Sequence, residues 1–280
     1  MGHFYRNLAE YMAKDKRSNR IRQAGLGSIF AGMSTSFNTT VKKAMIFAAG
    51  LGTRFKPWTD LHPKALALVN GKSLLQRNIA YLQGYGIRDL VVNVHHFADQ
   101  IIDVLHANKG WGSSITISDE TDQVLETGGG LKKARPWLEE GPFVVMNVDI
   151  LTDLDLGAMI RDHFDHKPLA TLAVTNRKTS RYFLFNEDMQ LRGWRNIKTG
   201  EMRMAGEPGE LTFTPRAFSG IHIIDPALFP LIRQEGKFSM VDVYLDVAAS
   251  RPVRGFDHSG SKLIDVGKPE SVAQAELLFI

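Results

Sequence analysis

Apolar residues cluster in four short runs, at positions 44–47, 90–94, 143–148 and 170–174. Unbroken runs of that length fit strands buried on both faces of a parallel sheet. Between them the period changes. Residues 74–83 place Leu75, Ile79 and Leu82 at helical spacing and stop at Gly84, and residues 98–107, 129–138 and 156–166 likewise predict helices. Ile115-Thr116-Ile117 adds a short strand. Strands alternating with helices predict an α/β, Rossmann-like chain, with a mostly parallel sheet carrying helices on both faces. In such sheets ligands gather at the carboxyl ends of the strands. From Arg181 onward the pattern turns into short strands, at 182–185, 191–194 and 218–224, separated by turns. This predicts a small antiparallel excursion able to close over a substrate, before helices return at 241–249 and 271–279.

A length of 280 residues holds one large α/β domain or two small ones. With 44% apolar and 23% charged residues the composition is that of a soluble globular protein. The absence of cysteine excludes disulfides and a thiolate zinc site, and suits a reducing cytoplasm. No apolar run approaches the ~20 residues of a membrane span. A pI near 9.2 invites a nucleic-acid reading. The charge is uneven, however. Residues 1–40 carry six Lys/Arg against Glu10 and Asp15, while residues 41–280 hold 28 of each sign. The basic excess therefore belongs to an N-terminal extension, residues 1–43, and no nucleic-acid partner is expected for the body, residues 44–280. In the extension, residues 4–12 fit a short amphipathic helix and residues 34–40 a loop. As a whole it reads as a disordered tail, or as a misassigned start with the true one at Met33 or Met45. No internal repeats occur, and the length leaves no room for a hexapeptide β-helix tail.

The first predicted strand runs straight into Ala48-Ala49-Gly50-Leu51-Gly52-Thr53-Arg54, and Lys64 follows ten positions later. A glycine-rich turn after a buried strand exposes backbone N–H groups to a phosphate or base, and two cations suit a triphosphate. The spacing provides neither the third glycine of a dinucleotide site nor the Gly-Lys-Ser/Thr of a P-loop. Two aspartates, in Asn147-Val148-Asp149 and in Leu263-Ile264-Asp265-Val266-Gly267, end strands at that same rim. Mg2+ takes one or two carboxylates plus phosphate oxygens, which this pair can supply. Taken singly, either also fits a helix N-cap or a turn. A second glycine cluster, Leu125-Glu126-Thr127-Gly128-Gly129-Gly130, precedes a predicted helix and suits close approach of a base or ribose, or simply a flexible turn. Asp153 and Asp155 read as a helix-start cluster, and His95 and His96 as structural or rim residues.

The full pattern Gly-x-Gly-Thr-Arg-x-x-Pro-x-Thr-x-x-x-Pro-Lys, over positions 50–64, resembles the signature of the sugar-1-phosphate nucleotidylyltransferases. The resemblance spans residues 44–280 and implies a GT-A-like nucleotidyltransferase fold. It implies that Ala48, Ala49, Gly50, Gly52 and Thr53 lie over the nucleotide, with Arg54 on the phosphates and Lys64 beside the α-phosphate. Asp149 and Asp265-Val266-Gly267-Lys268-Pro269-Glu270 match the elements whose aspartates bind the catalytic Mg2+. Glu126, Thr127, Gly128 and Gly129 fall where the family has a Leu-Gly-Thr-Ala-Gly type element contacting base and ribose. The Leu-Glu-Thr-Gly-Gly variant found here resembles the N-acetylmuramate-1-phosphate uridylyltransferase subgroup, which serves cell-wall recycling. A carboxylate at Glu126 would equally meet the N1–H and N2–H of guanine. Phe218-Ser219-Gly220-Ile221-His222 matches the sugar-facing strand, where Gly220 leaves room for the hexose; Asn147, Arg181 and Asp242 join it on the sugar side.

The expected partners are therefore a nucleoside triphosphate and a sugar 1-phosphate. UTP with N-acetylmuramate 1-phosphate leads, and GTP with mannose 1-phosphate, or UTP or dTTP with glucose 1-phosphate, are the alternatives. A non-catalytic nucleotide-sugar regulator would keep the glycines and lose Lys64, Asp149 or Asp265; all three are present. A dinucleotide oxidoreductase would need an acidic residue about twenty positions past the glycine loop, where Asn70-Gly71 stands.

Overall fold

The computed structural model describes residues 40–207 and 212–280. The expectations for residues 1–39 lie outside the described residues.

The first strand, β1 (Lys43–Phe47), is followed by a two-strand ladder of β2 (Leu68–Val69) and β3 (Lys72–Ser73), and then by α1 (Leu74–Gly84). Next come β4 (Asp89–Val94), α2 (Ala98–Ala107), β5 (Ser114–Asp119) and α3 (Glu126–Ala134). The chain continues through β6 (Phe143–Asn147), β7 (Ile150–Thr152), α4 (Leu156–His166) and β8 (Ala170–Thr175). The excursion is β9 (Arg181–Phe185), β10 (Leu191–Asn196) and β11 (Met202–Met204), and it returns along β12 (Thr214–Ile224). Last are α5 (Met240–Ala248), β13 (Val253–Asp257), β14 (Leu263–Asp265) and α6 (Glu270–Leu278).

Strands β6, β1, β4 and β5 lie side by side and parallel, forming the centre of a mixed, mostly parallel Rossmann-like sheet. Burial of β1 explains its unbroken apolar run. Ala44 and Ile46 pack on one face with Leu75 and Ile79 of α1 and Ile101 of α2. Met45 and Phe47 pack on the other with Leu131 of α3 and Val243 of α5. Each fully buried aliphatic side chain contributes about 1.5–3 kcal/mol, so both faces must be apolar at once. Side-chain caps start the helices where the sequence supplies acceptors. Ser73 Oγ accepts from Gln76 N at 3.1 Å, and Asp155 Oδ1 from Ala158 N at 2.9 Å. Asp153 has a different task, accepting the Lys262 N–H at 2.7 Å.

Two departures from the sequence pattern shape the site. The strand expected at 218–224 is an eleven-residue β12, antiparallel to β6 at one end and to β9 at the other. It therefore ties the excursion to the central sheet. Its pairing with β8 slips between Phe218 and His222, where Gly220 has φ +74°. The helix expected at 129–138 starts earlier, at Glu126, and yields to a 3-10 turn at Arg135–Trp137. Pro136 has no N–H to continue the ladder. Among the described residues no helix is long and apolar enough to cross a membrane.

Candidate active site

A cavity of about 500 Å³ opens at the carboxyl ends of β1 and β6. Its floor is the loop after β1. Gly52 has φ +61°, and a Cβ there would come within 2.8 Å of Thr59 Cγ2 and 3.2 Å of Lys64 Cβ. Glycine thus lets the loop fold down onto Lys64, and Thr59 Oγ1 donates to Gly52 O at 2.9 Å to hold it there. Beside Gly50 the space is open. Among the described residues nothing requires glycine at that position, whereas a ligand resting on the loop would.

Not all the loop N–H groups face the cavity. Those of Ala48 and Ala49 donate to Asn93 Oδ1 at 2.7 and 3.3 Å. These two residues, expected to meet a nucleotide, do line the cavity, but their N–H groups are already engaged by Asn93. Asn93 in turn donates to Glu120 Oε1 at 2.8 Å, and both residues are buried at 2% and 1% exposure. Burial pushes the Glu120 carboxyl upward, and the Asn93 hydrogen bond counters this. No sequence motif announces either residue. Asn93 was visible as the one polar residue inside the apolar run 90–94.

A cluster of charged side chains is assembled from separate segments at the cavity. Lys64 Nζ pairs with Asp149 Oδ2, and both side chains are largely buried. The short β14–β7 ladder sets Asp265 opposite Ile150, and Val266 N donates to Asp149 O at 2.8 Å. The Asp265 carboxyl is pushed up by its partial burial and then by Asp149, while Lys64, Arg54 and Arg177 pull it down. Gly267 makes room for two of these groups. A Cβ there would lie 2.7 Å from Asp265 Oδ1 and 2.9 Å from Arg54 Nη2. No motif announces Arg177; its Nη2 donates to Phe218 O at 2.8 Å, on β12. Among the described residues no group of three or more His, Asp or Glu is arranged to hold a metal. Two carboxylates with like-charge strain between them fit a cation that takes its remaining ligands from phosphates and water.

The second glycine cluster serves a purpose the sequence did not disclose. A Cβ at Gly128 would stand 2.4 Å from the Phe238 ring, at Gly129 2.2 Å from Gly236 O, and at Gly130 2.6 Å from Glu120 Oε1. The N–H of Gly128 donates to Phe238 O at 2.9 Å. Glycines 128–130 are therefore buried by the chain's own packing, and it is Glu126 and Thr127 that reach the cavity wall. Thr127 Oγ1 also accepts from Met240 N at 3.0 Å. Glu126 has φ +58°, a conformation costing a non-glycine residue about 1–2 kcal/mol. Its carboxylate lies 3.5 Å from Lys237 Nζ, with both side chains about half exposed. Such a pair contributes about 0–1 kcal/mol. Gly129→Ala forces a methyl group against a backbone carbonyl and is expected to destabilise the fold by about 1–3 kcal/mol. Gly50→Ala, entering open space, should stay within about 0.5 kcal/mol. Equal denaturation midpoints for the two variants would contradict this packing account.

Among the residues expected to face a sugar, a Cβ at Gly220 would come 2.9 Å from Asn147 Nδ2. The strand slip and the Asn147 side chain thus both require glycine there, and Asn147 itself lines the cavity. Ser219 bonds to His258 Nε2 at 2.8 Å, and burial pushes His258 down to about 4, keeping it neutral. Asp242 completes a capping box with Ser239 at the start of α5 and pairs with Arg203 at 2.7 Å. Arg181 stands exposed at the start of β9. His95 Nδ1 donates to Glu120 O at 2.6 Å, and His96 packs on Phe97, which are structural roles.

Residues 43–189 match the sequence model of the nucleotidyl transferase family. The chain is similar to the N-acetylmuramate alpha-1-phosphate uridylyltransferase of Caulobacter vibrioides, 33% identical over 244 residues, which cover 84% of this chain and 96% of that protein. It is also similar to the mannose-1-phosphate guanyltransferase of Yarrowia lipolytica, 27% identical over 85% of this chain and 64% of that one. Its fold resembles that of HddC from Yersinia pseudotuberculosis complexed with GMP-PN, with TM-score 0.67 and 24% identity, over 86% of this chain and 100% of that one.

Proposed function

The chain belongs to the nucleotidyl transferase family, and from that premise we propose that it joins UTP to N-acetylmuramate 1-phosphate, releasing pyrophosphate. Transfer of a nucleotidyl group to a sugar 1-phosphate is the general activity, and UTP with N-acetylmuramate 1-phosphate is the specific pair. The observation that carries the chemistry is the grouping of Asp265 and Arg54 with Lys64 and Asp149, the last two lining a cavity floored by the Gly50–Gly52 loop. Support for the sugar and base comes from the Leu-Glu-Thr-Gly-Gly element and the 33% identity to the Caulobacter protein. We assign residues 44–280 as the catalytic domain, and cytoplasmic cell-wall recycling as its setting.

A phosphate oxygen of the sugar 1-phosphate attacks the α-phosphorus in line. The new P–O bond forms as the α–β bridge breaks, and its electron pair leaves with pyrophosphate. A phosphate monoester is already nucleophilic near neutral pH, so the protein supplies position and charge rather than a strong base. Lys64 stabilises charge at the α-phosphate, and Arg54 holds the departing pyrophosphate. Arg177, anchored on the Phe218 carbonyl beside Asp265, faces the incoming phosphate. Asp149 and Asp265 would hold Mg2+, which when bound neutralises phosphate charge. The Gly50 and Gly52 backbone carries the nucleotide, and Asn147 stands at the sugar.

The test is pyrophosphate release over a matrix of UTP, GTP, dTTP, CTP and ATP against N-acetylmuramate, mannose and glucose 1-phosphates, with Mg2+ or with EDTA. Metal-dependent release with UTP and N-acetylmuramate 1-phosphate is expected. Release with GTP and mannose 1-phosphate would replace the substrate pair and keep the reaction. Silence throughout, with nucleotide still bound, would favour a regulator.

A further inference from the structure

Arg177 lies in the exposed loop after β8, where a long cationic side chain samples many rotamers. A hydrogen bond from Nη2 to Phe218 O at 2.8 Å steadies its guanidinium. That bond fixes the guanidinium only as firmly as its acceptor and the loop are themselves fixed. Arg177 is within electrostatic reach of both the Asp265 carboxyl and the His258 ring.

The acceptor sits on the least supported stretch of β12. Phe218 pairs with Val174, but the next two residues, Ser219 and Gly220, have no ladder partner on β6, β8 or β9. A side chain holds them instead. Ser219 is fully buried, and its Oγ meets His258 Nε2 at 2.8 Å. His258 Nδ1 is buried without a hydrogen-bond partner among the described residues. Burial keeps the ring neutral, and the tautomer that leaves Nδ1 a bare lone pair puts the proton on Nε2, which donates to Ser219. The backbone of His258 is anchored too, its N–H bonding Val174 O at 3.0 Å.

The loop is held from the same place. Ser259 Oγ accepts the Asn176 N–H at 2.9 Å, across 83 positions of sequence, and donates to Asp257 Oδ1 at 2.5 Å. Asp257 Oδ1 also takes the Ser259 N–H at 2.9 Å, which closes the turn locally. Closing the turn asks nothing of the serine hydroxyl, whose reach to Asn176 fixes the residue before Arg177. Lys262 N, donating to Asp153 Oδ1 at 2.7 Å, ties the far side of the turn down just beyond Asp149.

We propose that the adjacent residues His258 and Ser259 are a positioning clamp for Arg177. Ser259 fixes its backbone through Asn176, and His258 fixes the stretch of β12 whose Phe218 carbonyl anchors its guanidinium. The clamp keeps that guanidinium beside Asp265, ready for the phosphate of the sugar 1-phosphate. This rests on the nucleotidyl-transfer reading of the site and adds what sets its sugar-phosphate side.

The experiment is steady-state pyrophosphate release on the full chain, with UTP and N-acetylmuramate 1-phosphate or with GTP and mannose 1-phosphate, whichever pair turns over. Arg177→Ala should raise the KM for the sugar 1-phosphate about tenfold or more, the size of one hydrogen bond to a charge. Ser259→Ala, Ser219→Ala and His258→Leu should each raise it about three- to tenfold and leave the KM for the nucleotide within about twofold. His258→Gln keeps an N–H near the place of Nε2 and should restore the wild-type KM to within about twofold. In an Arg177→Ala background the same substitutions should add less than about twofold, because the residue they position is gone. Hydrogen exchange at the Asn176 amide should quicken at least about fivefold in Ser259→Ala. Full-sized effects without Arg177, both KM values rising together, or His258→Gln as impaired as His258→Leu would overturn the proposal. Ser259 stands at an exposed turn, so Ser259→Ala decides the matter should the buried variants fail to fold. A wild type that turns over neither pair would sink the reaction, and the clamp would then stand or fall on whether Ser259→Ala frees the Asn176 amide. Turnover with substitutions indifferent to Arg177 would sink the clamp and keep the reaction.

Discussion

Asp149→Asn should lower kcat for pyrophosphate release by about 10³-fold, corresponding to about 4 kcal/mol of transition-state stabilisation. Asparagine preserves the shape and removes the charge. The loss has two parts. One of the two carboxylates that would hold the metal is gone, and the remaining Asp265 has to act alone. Lys64 also loses its partner in a largely buried position, so its ammonium turns toward Asp265 and away from the α-phosphate. The measurement is kcat with saturating substrates over a range of Mg2+ concentrations, together with thermal denaturation in EDTA. A folded variant whose kcat recovers fully at high Mg2+ would mean that Asp149 only tunes metal affinity. A wild-type kcat at ordinary Mg2+ would remove Asp149 from the reaction.

Lys64→Ala should cost about 10²–10³ in kcat, the typical loss on removing one preorganised donor from a transition state. The Lys64 ammonium is already oriented, paired with Asp149 and pinned beneath the Gly52 turn, so substrate binding need not order it. Charge grows on the α-phosphate oxygens as the bond to pyrophosphate lengthens. The loss should therefore fall on kcat more than on KM. Lys64→Arg is expected to rescue little. A planar guanidinium does not replace a point charge at close quarters. A Lys64→Ala enzyme with near-normal kcat and raised KM would reduce Lys64 to a binding residue.

Local pattern carried much of this architecture. Helices at 98–107 and 156–166 appear with the bounds their periodicity implied, because an apolar stripe and its caps are properties of ten neighbouring residues. The turn after β1 was equally legible. What local pattern missed were pairings between remote segments. β13 inserts parallel to β8, and its Val-Arg-Gly-Phe-Asp run has no clean period to announce it. Arg177 looks like any loop cation until β12 brings the Phe218 carbonyl to it. Glycines 128–130 looked like a place for a ligand, and the space beside them is taken by Phe238, Gly236 and Glu120.

By itself the sequence determined that this is an α/β chain with a glycine turn after its first buried strand, and it offered Arg54, Lys64, Asp149 and Asp265 as the candidates for its chemistry. Those features follow from period, turn chemistry and residue type, which act over a few positions. Only the tertiary structure decided that Asp265 is delivered to Asp149 by the β14–β7 ladder, that Asn93 and Glu120 brace the loop, and that strained Glu126 stands beside Lys237 on the cavity wall. Each of these depends on which distant strands share hydrogen bonds, and on which buried polar groups must find partners once the core has closed.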